Sequence, residues 1–315
     1  MQIVDFTADH VEQAAQIALR NYEAERGFVS ALPPIDAVPD LTSYARNGLG
    51  VAAFDGDNML GFLCAVGPFK NAFRSTDATG VFSPMGANAA IGKNKPNVYA
   101  RMYQAAGEKW ARAGAASHAI CLYAHEKETQ EQFFRYSFGL RCIDAIRGIE
   151  PIKCAACEGY GFEELEKEEY QNVFPLESML NKYQCTSPYF LCRKPDTLES
   201  FMDSCTKKAE RFFVAKFQGE ICAYLMTVSG GDTFIAEDQS YVDMGGAFCL
   251  PEHRGKGVYQ NLLNFAIAVL SKEGYTRLGV DFESFNPTAH GFWLKNFHAY
   301  GHSVVRRIDE HAITK

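Results

Sequence analysis

Leu250-Pro251-Glu252-His253-Arg254-Gly255-Lys256-Gly257-Val258-Tyr259 sets two glycines and two cations between an apolar run, Met244 to Leu250, and a long amphipathic stretch. Glycine lacks a Cβ, so its backbone N–H can close on a bound group, and the first turn of a helix leaves such groups unpaired. The helix dipole adds positive potential at the same end, and Arg254 and Lys256 add charge. This is chemistry for a phosphate or diphosphate. The segment lacks both the GxxxxGK[ST] of a nucleoside triphosphate loop and the GxGxxG of a dinucleotide fold. Taken alone, it also reads as a basic surface turn.

The elements around it favour the binding reading. From Val258 the apolar residues Leu262, Leu263, Phe265, Ala266, Val269 and Leu270 recur at helical spacing, and Lys272-Glu273-Gly274 supplies a basic last turn and a glycine stop. Leu278, Val280 and Phe282 then alternate with Gly279, Asp281 and Glu283, as in a strand with unlike faces. Asn286-Pro287 reads as an N-cap with proline at the first helical position, and Ala289, Phe292, Trp293 and Phe297 form the stripe of a short helix. A last strand is predicted over Ser303 to Ile308.

With Arg254 at its start, the loop resembles [QR]xxGx[GA], the acyl-CoA pyrophosphate loop of the GCN5-related N-acetyltransferases (GNAT). Gly257 takes the central glycine, and Tyr259 stands where that family has a small residue. Asn286-x-x-Ala289 matches the family's second motif at the expected separation. The resemblance implies acetyl-CoA as co-substrate. The backbone of Phe248, Cys249 and Leu250 would hold its pantetheine arm. Arg254, Gly255, Lys256 and Gly257, with the backbone around Val258 and Tyr259, would take the pyrophosphate, and Asn286 would reach it at the opening between the central strands. It further implies a base for the attacking ammonium. Asp243, eight residues before Pro251, is the first choice and Glu283 the second, although both also read as solvated strand residues or ion-pair partners. Many relatives protonate the leaving thiolate with a tyrosine that is Trp293 here, and an indole N–H is not a useful acid. Tyr300, His290, His298 or water could replace it, or the thiolate could leave unassisted.

The first half of the chain repeats the plan. A hairpin pattern from Gly50 to Val66 corresponds to one from Phe212 to Val228. Gly80-Val81-Phe82, a helix over Val98 to Ala113, a strand over His118 to Ala124, a helix over Thr129 to Phe138 and a strand over Arg141 to Ile146 complete the copy. Phe54 and Phe217, Phe82 and Phe248, and Phe134 and Trp293 lie 163, 166 and 159 positions apart. A near-constant offset means two copies of one fold. The expected fold class is therefore α/β with a mixed sheet, as two tandem GNAT-like acyl-CoA N-acyltransferase domains over 1–150 and 151–315. In the first copy, Ser83-Pro84-Met85-Gly86-Ala87-Asn88-Ala89-Ala90-Ile91-Gly92-Lys93 carries no charge before Lys93. It reads as degenerate; two working sites is the alternative.

Composition narrows the rest. A chain of 315 residues, 47% of them hydrophobic, suits two cores of about 150 residues each. A net charge of −7 and a pI near 5.7 argue against a nucleic-acid binder. Without a basic-flanked apolar start or a run of about 18 apolar residues, a soluble, unsecreted, cytoplasmic protein with no membrane partner is expected. The ten cysteines sit mostly singly in apolar segments, as reduced thiols do. Cys154-Ala-Ala-Cys157 has no second pair to complete a zinc set, so no metal is assigned, and a zinc or redox role is the weakest reading. Glu163 to Glu169 reads as a solvated helix face. The sequence stops soon after Ile308, before the last strand such a domain usually has, so that place is expected to be filled by the other half or by a second copy in a homodimer. The expected reaction is acetyl transfer to a primary amine of a small molecule or protein. The rival is a non-catalytic acetyl-CoA sensor or scaffold.

Overall fold

A computed structural model describes residues 1–315 apart from 75–77, 195, 208 and 314–315. The chain divides into two compact units: unit 1 is Met1–Asp144 with Ala299–Lys315, and unit 2 is Ala145–His298. The sequence boundary at 150 falls near one junction. The other was not foreseen: residues from Ala299 onward fold with unit 1 rather than with the half that precedes them.

Unit 1 contains β1 (Gln2–Asp5), α1 (Val11–Phe28), β2 (Val51–Asp55), β3 (Asn58–Leu63), β4 (Val66–Phe69), β5 (Gly80–Ser83), β6 (Asn88–Ala90), α2 (Lys95–Arg112), β7 (Ser117–Tyr123) and α3 (Lys127–Arg135); β8 (Gly139–Gly148) follows. Strands β1, β2, β3 and β6 make an antiparallel sheet in that order, while β5 pairs antiparallel with β4 and parallel with β7. Helix α1 buries Ala14, Ile17, Ala18, Asn21, Tyr22 and Glu25, the stripe that a 3.6-residue period puts on one side. Its apolar members pack on Phe6 and Phe62. Helix α2 sets Val98, Met102, Ala106 and Trp110 against Leu63 and Ile120, and the Trp110 indole donates to the Leu49 carbonyl at 2.9 Å.

Unit 2 contains β9 (Tyr160–Glu164), α4 (Phe174–Gln184), α5 (Leu198–Lys207), β10 (Arg211–Phe217), β11 (Glu220–Val228), β12 (Tyr241–Cys249), α6 (Val258–Lys272), β13 (Arg277–Glu283) and α7 (Pro287–Asn296). The last strand, β14 (His298–Arg307), begins five residues earlier than predicted, and from Gly301 it pairs antiparallel with β7 of unit 1. The sheet of unit 2 runs β13-β12-β11-β10-β9, with only the β12–β13 pair parallel. Neighbouring residues of a strand face opposite ways. Accordingly Phe212 meets Phe201 of α5, while Phe213 meets Phe265 of α6.

Glu163 and Glu164, expected on a helix face, instead end β9. Glu164 pairs with Arg211 at 2.8 Å and Glu163 with Lys216, so cross-strand cations explain the charge there. Among the described residues no helix is long and apolar enough to cross a membrane.

The two copies agree closely from their long helices onward. β7 and β13 begin 160 positions apart, as do α3 and α7. They differ where α2 and α6 begin: unit 1 is already helical at Lys95-Pro96-Asn97, whereas the corresponding Gly255-Lys256-Gly257 is a loop.

Candidate functional site

Strand β12 is anchored on one side and released on the other. Toward β11 it stays paired as far as Cys249, with Gly245 as an extra residue between the Thr227–Met244 and Met226–Gly246 pairs, a bulge. Toward β13 the pairing runs only from Tyr241–Arg277 to Met244–Val280. Both strands continue past that point, to Cys249 and Glu283, without pairing to each other among the described residues. They part after Met244 and leave one main-chain edge of Gly245 to Cys249 free of strand partners, a free edge that asks for hydrogen bonds. A Cβ at Gly245 would stand 2.9 Å from Met226 Cε, so a side chain there would require the end of that methionine to shift.

The loop beyond β12 turns through Pro251–His253 and reaches α6 by way of Gly255 and Gly257, at φ 74° and 79°. These left-handed conformations are why both positions are glycine. Among the described residues, the six consecutive amides from Gly255 to Gln260 have no main-chain acceptor; the first such bond is Asn261 N to Gly257 O at 3.1 Å. Arg254 is exposed, its Nε donates to the Cys249 carbonyl at 2.8 Å, and its guanidinium lies 5.4 Å from the centre of the Phe248 ring. The Cys154 segment is strapped along the same helix: Asn261 donates to the Ala155 carbonyl at 2.9 Å, and Asn264 exchanges hydrogen bonds with the Ile152 backbone. Among the described residues no group of three or more His, Cys, Asp or Glu is arranged to hold a metal ion.

Strand gap, loop and helix ends enclose an open cavity of about 330 Å³. Its walls are Ala247 to Cys249 of β12, His253 to Gly255 and Gly257 of the loop, Val258 to Gln260 of α6, Asn286 to Trp293 along one side of α7, and Leu180 and Tyr183 of α4. Of the cofactor residues predicted from sequence, Phe248, Cys249, Arg254, Gly255, Gly257, Val258, Tyr259 and Asn286 line it. Leu250 packs instead with the apolar core under α4 and α5, and Lys256 is exposed outside the lining. Asn286 caps α7: its Oδ1 accepts from Ala289 N at 3.4 Å, from Thr288 Oγ1 at 2.8 Å and from the Tyr183 hydroxyl at 3.1 Å. Tyr183 and Leu180 were not anticipated, because nothing in the α4 pattern distinguishes a wall residue from an ordinary half-exposed one. Trp293 is 4% exposed and packs on Tyr259 and Phe297. Tyr300, His290 and His298, the substitutes considered for the missing acid, do not line the cavity.

The two candidate bases sit in unlike places. Asp243 pairs with Gly279, one step before the strands part, and is 4% exposed. Its Oδ1 accepts from the Tyr241 hydroxyl at 2.9 Å. Tyr241 lies so close over Gly279 that any side chain there would overlap its hydroxyl, so this glycine fixes the tyrosine and the tyrosine orients the carboxylate. Burial pushes the Asp243 carboxyl up to about 6, with the Tyr241 hydrogen bond opposing and the Asp232 charge adding. Glu283 is half-buried at the far end of β13. Four residues of strand separate it from Gly279, about 13 Å at the usual rise, so the two carboxylates do not form a pair.

Residues 164–299 match the acetyltransferase (GNAT) family. No curated protein sequence matches the chain. Among solved structures, a GCN5-related N-acetyltransferase from Sphaerobacter thermophilus is similar over 97% of this chain and 95% of its own, at 11% identity and a TM-score of 0.57. A GCN5-related glucosamine N-acetyltransferase region within a fungal multi-domain GH3 β-N-acetylglucosaminidase is similar over 96% of this chain and 38% of that one, at 12% identity and a TM-score of 0.51. At such identities the likeness is one of fold.

Proposed function

We propose, from the match of residues 164–299 to the acetyltransferase (GNAT) family, that the chain transfers an acetyl group from acetyl-CoA to a primary amine of a small molecule or protein. The observation that carries this reading is the run of unpartnered amides from Gly255 to Gln260 beside a gap in the sheet. Such a row of N–H groups at a helix start suits a diphosphate, and Arg254 and Lys256 add charge at its mouth. The free edge of β12 suits an extended arm bearing amide groups, which main-chain hydrogen bonds hold whatever the neighbouring side chains.

When bound, acetyl-CoA supplies a thioester already activated toward amines. The chain has to orient the amine and take its proton. Asp243, at the vertex of the gap, accepts that proton directly or through water, and its raised pKa keeps it basic enough to do so near neutrality. Glu283 is the second choice. With Trp293 where a tyrosine acid would stand, the leaving sulfur takes its proton from water or from another hydroxyl.

Unit 1 serves in this reading as a degenerate copy. Pro96 has no N–H to offer, and Lys95 is held by Glu126 at 2.6 Å. No disulfide joins any of the ten cysteines among the described residues, which fits a reducing, cytoplasmic setting. Trp293 also favours a second reading, an acetyl-CoA sensor without catalysis.

Titration calorimetry with acetyl-CoA, followed by continuous measurement of free thiol over a panel of primary amines, tests both. Saturable heat and amine-dependent thiol release are expected. Heat without turnover would favour the sensor, and no heat would remove both.

A further inference from the structure

Both units carry the same dipeptide at equivalent places in their long helices. Val98-Tyr99 in α2 and Val258-Tyr259 in α6 lie 160 positions apart, the spacing that also relates β7 to β13 and α3 to α7. The two tyrosines are therefore structural counterparts, yet their hydroxyls meet different fates.

Tyr99 is 2% exposed, and its hydroxyl donates to Asn88 Oδ1 at 3.0 Å. Asn88 in turn donates through Nδ2 to the Cys121 carbonyl of β7 and to Ser83 Oγ, both at 3.0 Å. Unit 1 has the same parting of strands as unit 2: β5 and β7 pair from Gly80–Ser117 to Ser83–Ile120 and no further. The Asn88 carboxamide bridges from β6 to β7 just beyond that point. An amide group fills the gap, and it belongs to the protein.

In unit 2 the position that matches Asn88 is Ala247. Asn88 opposes Leu63 of β3, five residues past the pair that closes the β2–β3 hairpin, and Ala247 opposes Leu225 of β11, five residues past the pair that closes β10–β11. Ala247 has no group to offer. The Tyr259 hydroxyl is closed off from solvent and has no hydrogen-bond partner among the described residues. Its ring is held by Phe292 and Trp293 at centroid distances of 5.1 and 6.1 Å, and both Ala247 and Tyr259 line the cavity. A phenol buried without a partner is unfavourable, and because the empty site covers this hydroxyl, a group entering the gap reaches it only as the Tyr259 side chain adjusts.

We propose that Tyr259 donates its hydroxyl to an amide carbonyl of the ligand's pantetheine arm, as Tyr99 donates to Asn88, and that this bond makes the gap selective for arms carrying carboxamides. The inference rests on the acetyl-CoA reading above and names a contact within the same site. It also explains two features together. Tyrosine replaces the family's small residue at 259 because it has a polar task, and unit 1 takes no arm because Asn88 already supplies the group its own tyrosine requires.

Calorimetry on the full chain tests this with coenzyme A and with adenosine 3′,5′-bisphosphate, which has the charged end but no arm. Tyr259→Phe is expected to weaken coenzyme A binding about tenfold, the size of one buried hydrogen bond, and to leave the bisphosphate unchanged. Ala247→Asn should plug unit 2 as Asn88 plugs unit 1, abolishing coenzyme A binding while raising the melting temperature. A phenylalanine variant that binds coenzyme A as the wild type does, or that loses both ligands equally, overturns the role of Tyr259, as does an asparagine variant with unchanged affinity. A wild-type chain that takes up no coenzyme A overturns the acetyl-CoA reading itself.

Discussion

Asp243 shows how one side chain sets stability against chemistry. Its folded pKa lies above the unfolded carboxylate value, so the native chain holds this proton more tightly than the unfolded chain does. Stability from this group is therefore greatest below about pH 4, falls as pH rises to about 6, and at neutral pH is lower by on the order of 2–3 kcal/mol. Asp243→Asn removes that cost. Thermal melts at pH 8 should show a rise of roughly 5 °C in the transition of unit 2, shrinking to nothing near pH 4. The same variant should lower kcat/KM by about 100-fold or more, while the wild-type kcat/KM rises through pH 6. An unchanged rate would assign the proton to another group. The carboxylate was visible in the sequence from its distance to the loop. The two neighbours that define it, Tyr241 above and Gly279 beneath, were not, because their approach joins two strands across an intervening helix.

The loop between β12 and α6 depends on element geometry more than on side chains. Gly257→Ala places a Cβ on a left-handed residue with no serious clash, its nearest neighbours being 3.7 and 3.8 Å away, so the cost is the backbone term of about 1–2 kcal/mol. Relief of that strain rotates the amides that follow. Acetyl-CoA affinity by calorimetry should fall at least tenfold while the melting temperature drops by only a few degrees; unchanged affinity would mean the row of amides is not the binding surface. Legibility followed the range of the interactions. Helix α6 spans the predicted residues, and the Asn286 cap and the β10–β11 hairpin stand where local periodicity and turn chemistry put them. The parting of β12 from β13 left no mark in either strand's alternation, since strands that diverge still need one buried face. Tyr183 went unseen for the related reason that its place on the wall is set by packing between distant segments.

Opposite pH responses are built into the two units. In unit 1, His118 is 1% exposed; its Nε2 faces the Ala115 carbonyl at 3.1 Å and so carries the proton, leaving Nδ1 to accept from the Tyr103 hydroxyl at 2.9 Å. Burial pulls its pKa down to about 4. A folded pKa below the unfolded value of about 6.5 means that the unfolded chain gains protons first, so this contribution is intact above pH 6.5 and is lost as pH falls toward 4. Calorimetric scans from pH 7 to 5 should therefore lower the transition of unit 1 while that of unit 2, relieved of charged Asp243, holds or rises; two transitions moving together would refute the assignment. The return of the chain to unit 1 at Ala299 bears on biosynthesis. A ribosome delivers all of unit 2 before it delivers the strand that covers β7, so unit 2 completes as a nascent body while unit 1 waits with an open sheet edge, the kind of surface that invites aggregation or chaperone capture.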